Sequence, residues 1–91
     1  MQFEWDENKN LKNILKHRID FEDAKVIFKD PNQITEPDLD HSDKEERFLC
    51  IGMMGEIIIG IIFVRRGNII RIISAGQRDK WSEIYEKKNK V

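Results

Sequence analysis

Between Ile57 and Val64 the chain runs IIIGIIFV, eight residues interrupted only by Gly60. A strand with one wet face alternates apolar and polar residues, and this one does not. Isoleucine favours the pleated conformation, and the run is far too short to cross a bilayer as a helix. It reads as a central strand buried on both faces, which the rest of the chain must cover. After Arg65-Arg66 comes Gly67-Asn68, suited to a two-residue hairpin loop with glycine where φ is positive. The returning strand, Ile69 to Ser74, is apolar apart from Arg71. A guanidinium amid isoleucines needs a carboxylate partner or an anionic ligand facing it.

With 91 residues and 40% apolar content, one domain covering residues 1–91 and one core are expected. No apolar stretch is long enough for a membrane-spanning helix, and MQFEWDENKN lacks the apolar region of a signal peptide. A cytoplasmic protein is expected. Cys50, the single cysteine, falls in a strand and reads as a small core residue, since no histidine adjoins it. The net charge of −1 hides an asymmetry. Residues 1–46 carry seven Lys/Arg against thirteen Asp/Glu, and residues 47–91 carry nine against four. Only the second half could face a polyanion.

Phe3-Glu4-Trp5 is a short strand candidate, and Asp6 can cap a helix reaching about His17. Leu11, Ile14 and Leu15 give that helix an apolar stripe opposite Lys9, Lys12 and Lys16. Asp20 caps a second helix with Phe21, Ala24, Ile27 and Phe28 on one face, and Asp30-Pro31 ends it. Residues 31–46 are polar and acidic, a loop with a brief extended piece at Gln33-Ile34-Thr35. Arg47 to Met54 is again strand-like, and Gly55-Glu56 is a tight connection. Asp79 is placed to cap a last helix, with Trp81, Ile84 and Tyr85 as its core stripe. The order is β-α-α-β-β-β-α, an α+β, two-layer domain in which helices cover one face of an antiparallel sheet.

No metal site is expected. His17 and His41 lie on different elements, and Asp38, Asp40 and Asp43 lack the glycine and terminal glutamate of a calcium loop. There is no phosphate-cradling glycine loop and no nucleophile elbow, and no cofactor is expected. Cleavage of RNA by its own 2′-hydroxyl demands less: a base, an acid and cations around phosphorus. Lys16, His17, Arg47, Arg65, Arg66 and Arg71 could supply them if the fold gathers them. Each also has a plainer reading. His17 suits the negative end of a helix dipole, Arg65 and Arg66 flank an exposed turn, and Arg71 could form a structural ion pair.

The chain resembles BrnT-type toxins of bacterial toxin–antitoxin pairs. The resemblance rests on FEWDENK (Phe3 to Lys9), Lys16-His17, DFEDA (Asp20 to Ala24) and Phe28-Lys29-Asp30-Pro31. It continues through Asp38-Leu39-Asp40-His41-Ser42, Glu46-Arg47, Ile51-Gly52, Ile70 to Ala75 and Ile84-Tyr85-Glu86. It implies a RelE-like fold and a ribonuclease held inactive by a ribbon-helix-helix antitoxin of the BrnA type. It also implies that operator DNA is bound only through the antitoxin. Carried over by position, the candidates are Lys16, His17, Glu46, Arg47, Arg71 and Ser74. Arg71 would stabilise the phosphorane while His17 or Glu46 handles protons, and Arg65, Arg66 and Arg78 would join Arg47 and Ser74 in holding RNA. After Ser74-Ala75 the family usually continues with consecutive basic residues, where this chain has Gly76-Gln77-Arg78-Asp79-Lys80. Two readings follow: a metal-independent endoribonuclease that inhibits translation, or a catalytically weak homologue that mainly binds its antitoxin.

Overall fold

The computed structural model describes residues 1–41 and 45–90. Its strands are β1 (Gln2–Glu4), β2 (Ile34–Pro37), β3 (Arg47–Met54), β4 (Ile57–Arg66) and β5 (Ile69–Gly76). They form one sheet in the spatial order β1-β5-β4-β3-β2. Helices α1 (Glu7–His17) and α2 (Phe21–Ala24) precede β2, and α3 (Asp79–Lys88) closes the chain. A 3-10 turn at Lys25–Lys29 prolongs α2, and a second lies at Leu39–His41. Ser42, the last residue of one family pattern, and Asp43 of the acidic loop fall outside the described residues. Among the described residues, no helix is long and apolar enough to cross a membrane.

The α+β class and the expected element order hold, with one strand added. The extended piece expected around Ile34 reaches Pro37 and pairs with β3 as β2. β1 runs parallel to β5, while the other neighbouring strands are antiparallel. The connections are those the glycines require: Gly55 and Gly67 both have a φ of 62°. Asp6 Oδ1 accepts from Asn8 N at 2.8 Å and caps α1, and Asp20 Oδ1 accepts from Glu22 N at 2.9 Å. At α3 the cap position belongs to Arg78, with no side-chain bond, and Asp79 is instead the first helical residue. Its carboxylate still suits the positive end of the helix.

β4 feeds two cores. Ile59, Ile61 and Phe63 pack with Phe21, Ala24, Ile27 and Ile72 beneath α2 and the 3-10 turn that prolongs it. Ile58 and Ile62 pack with Leu49, Ile51, Trp81, Ile84 and Tyr85 beneath α3. Helices therefore lie on both faces of the sheet, a correction to the single helical face expected. The cause is β4 itself, since a strand apolar on both sides needs cover on both. Gly60 makes the α3 side possible: a Cβ there would stand 2.5 Å from Trp81 Cε3. Cys50 is fully buried as expected, and burial pushes its thiol up to about 11.

Helix α1 departs furthest from its expected packing. Leu11 and Leu15 are 56% and 84% exposed, while Asn10 and Asn13 are the buried residues of the helix. Hydrogen bonds explain the inversion. Asn10 Nδ2 donates to Asp20 Oδ1 at 3.0 Å, and its Oδ1 accepts from Phe21 N at 2.9 Å. A buried amide with its donors and acceptor satisfied can hold a helix in place without an apolar stripe.

Candidate functional site

β1 ends at Glu4, opposite Arg71, so the outer edge of β5 has no strand beside it from there on. Asn13 fills the gap. Its Nδ2 donates to Ala75 O at 2.9 Å, and its Oδ1 accepts from Ala75 N at 3.1 Å, as a neighbouring strand residue would. Nδ2 also donates to Ile19 O at 2.9 Å. These bonds fix α1 at the end of β5 and carry its last residue, His17, round to Gly76. A Cβ on Gly76 would meet His17 Nδ1 at 3.4 Å.

A register shift between Ile62 and Phe63 changes which side chains share a face. Ile62 pairs with Ser74 and Phe63 with Ile72, so Ile73 is an extra residue on β5. In a regular strand Arg71 and Ser74 would point to opposite faces. The shift puts both on the α3 side.

On that side a cleft of about 470 Å³ opens between the end of β2 and the start of α3. Leu49 and Ile62 lie in its lining on neighbouring strands, and His17, Arg47, Ser74, Arg78 and Lys80 border it. Glu36, Asp38 and Asp40 stand in the same lining. Asp38 N donates to Arg47 O at 2.8 Å, which prolongs the β2–β3 pairing into the cleft wall. The Arg78 guanidinium lies 5.3 Å from the centroid of the half-buried Trp81 ring, held against the ring face it favours.

The fold thus gathers four of the expected residues, His17, Arg47, Ser74 and Arg78, and adds Gln77, Lys80 and Trp81. The others lie elsewhere. Arg71 Nη1 is 2.9 Å from Glu4 Oε2, the structural ion pair that its setting among isoleucines allowed. Arg66 Nε lies 3.3 Å from Glu45 Oε2, and its Nη1 is 3.9 Å from Glu4 Oε2. Arg65 rests over the rings of Phe48 and Phe63, at 5.1 and 5.9 Å. Lys16 and Glu46 are exposed and do not line the cleft. Among the described residues, no three His, Cys, Asp or Glu side chains converge as a metal site. Lys80 escaped notice because its only sequence signal is a place one turn beyond Gly76, on a helix whose position depends on the sheet.

The cleft at the end of this sheet brings an imidazole, a hydroxyl and several cations together beside three carboxylates, groups able to move protons and face an anion. The family model for the ribonuclease toxin, BrnT, of type II toxin-antitoxin systems matches residues 5–80. The chain belongs to this BrnT family of ribonuclease toxins, and a cognate antitoxin and an RNA substrate come with that membership. Comparison with individually curated proteins found no match.

Proposed function

We propose that the protein is a metal-independent endoribonuclease whose active site is the cleft between β2 and α3. The observation that carries this reading is the convergence there of His17, Arg47, Ser74 and Arg78 from α1, β3, β5 and the N-cap of α3. In this reading the His17 imidazole takes the proton of a ribose 2′-hydroxyl as its oxygen attacks the adjacent phosphorus. The bond to the 5′-oxygen breaks, a proton returns to that oxygen, and a 2′,3′-cyclic phosphate and a 5′-hydroxyl result. Arg47 and Arg78 neutralise charge that grows on the phosphorane, and Ser74 donates a hydrogen bond to a phosphate oxygen. Cutting RNA in the cytoplasm would inhibit translation, and a ribbon-helix-helix antitoxin of the BrnA type would neutralise the protein and repress their operon.

The acidic side of the cleft favours a second reading. Glu36, Asp38 and Asp40 offset the cations around them and weaken any hold on a polyanion. A catalytically weak homologue that serves mainly to bind its antitoxin would fit such a cleft. Purified protein incubated with total RNA in EDTA separates the two. The nuclease reading expects fragments ending in cyclic phosphate and a loss of rate on the order of 100-fold in His17→Gln. Full activity of His17→Gln would remove the proposed base, and intact RNA with the unaltered chain would favour the second reading.

A further inference from the structure

We propose that the outward face of α1 is the docking site for the antitoxin, which meets it with an acidic amphipathic helix. The inference rests on the family's antitoxin, not on the chemistry of the cleft. Leu11 and Leu15 sit one turn apart on α1, 56% and 84% exposed, while the buried side of the same helix is held by Asn10 and Asn13. The leucines are thus not needed to seat the helix in its own fold. An apolar pair spaced i, i+4 is one half of a helix-in-groove or helix–helix contact.

Charge selects the occupant. Lys12 and Lys16 each follow one of these leucines, and Lys9 and Arg18 flank them along the chain. All four are exposed, and among the described residues none of them has a carboxylate partner. Lys12 and Lys16 are themselves an i, i+4 pair of like charge, which an acidic partner would relieve. A second copy of this chain would bring the same cations to the contact. An RNA strand would find phosphate partners in the lysines and nothing to place on the leucines. A helix with two apolar residues one turn apart, bordered by Asp or Glu, satisfies both halves of the surface. The placement also accounts for inhibition. The last residue of α1 is His17, so a segment seated on Leu15 and running past Lys16 would reach the mouth of the cleft.

The test is the affinity of the full chain for the antitoxin encoded beside it, measured at low and moderate salt. Leu11→Glu with Leu15→Glu changes only exposed side chains, and circular dichroism checks that the fold persists. The expected result is binding weaker by roughly 30-fold or more. Lys9→Glu with Lys12→Glu should also weaken binding and flatten its salt dependence. Unchanged affinity in the leucine variant would overturn the proposal. So would a homodimer that Leu15→Glu dissolves, since a second copy would then own the face. Because affinity is read directly, an inactive cleft would refute the nuclease reading and leave this result to stand or fall by itself.

Discussion

The hydroxyl of Tyr85 on α3 donates to Asp30 Oδ2 at 2.6 Å, joining helical layers on opposite faces of the sheet. Asp30 follows the 3-10 turn on the α2 side, and the contact passes the edge of β3 where β2 has not yet begun. The same carboxylate accepts from Met53 N at 2.9 Å and from Asn32 N at 2.8 Å. Asn89 Nδ2 donates to Asn32 O at 3.1 Å and reinforces the strap. Burial pushes the Asp30 carboxyl up, but the Tyr85 hydroxyl and the two backbone N–H groups hold it below its ordinary value. Burial and the neighbouring carboxylate push the Tyr85 hydroxyl up to about 12.

Tyr85→Phe should therefore destabilise the protein by about 1.5–3 kcal/mol near neutral pH, the range for a hydrogen bond to a charged group. The pH window follows from both shifts. Asp30 is depressed, so its contribution is present above the unfolded carboxylate value of about 3.9 and fades as pH falls through the folded value. Tyr85 is raised, so its contribution is present below about 10 and fades as pH climbs toward the folded value. Urea unfolding of both proteins across pH should show the largest gap between these limits.

Local features were legible because local chemistry dictates them. Gly55 and Gly67 marked their turns, Asp6 and Asp20 their helix starts, and the apolar run of β4 its double burial. What escaped depends on distant partners. Arg71 finds Glu4 only because β1 returns parallel beside β5. Asn10 and Asn13 look like polar surface until Asp20, Phe21 and Ala75 present atoms to them. The extra residue at Ile73, which brings Ser74 and Arg71 to one face, leaves no trace in the pattern IIRIISA. His17, Arg47 and Ser74 could be named singly from the family pattern and Arg78 as a nearby cation, and which of the candidates would meet could not.

Gly60→Ala tests the seat of α3. The new methyl would stand 2.5 Å from Trp81 Cε3, closer than carbon atoms tolerate, and the ring is part of a packed cluster. The expected cost is about 1–3 kcal/mol, the range for forcing extra volume into a filled core. In a Trp5→Phe background the remaining indole reports the change directly. A shift in Trp81 fluorescence with lowered thermal stability is the expected outcome.

Asn13→Ala removes the side chain that closes the edge of β5 and leaves Ala75 N, Ala75 O and Ile19 O short of a partner. Buried polar groups left unsatisfied cost about 1–3 kcal/mol each, and water entering at the edge would recover part. A loss of about 3 kcal/mol is expected in urea unfolding. Amide exchange at Ala75 should accelerate more than exchange at Ile61 in the same sheet. If the cleft cuts RNA, the variant should also cut more slowly at temperatures where it remains folded, because His17 loses its anchor.

Arg78 and Arg71 should part company when RNA binding is followed against salt. Arg78 lies in the cleft over Trp81, whereas Arg71 is already paired with Glu4. Each phosphate contact to a single strand adds about 0.7 to the slope of log affinity against log salt. Arg78→Ala should lower that slope by about 0.7 on a short unstructured RNA, while Arg71→Ala leaves it unchanged. Arg71→Ala should instead loosen β1, seen as faster amide exchange at Gln2 to Glu4. The reverse pattern, with the slope falling in Arg71→Ala alone, would move the RNA path out of the cleft and toward the Gly67-Asn68 turn.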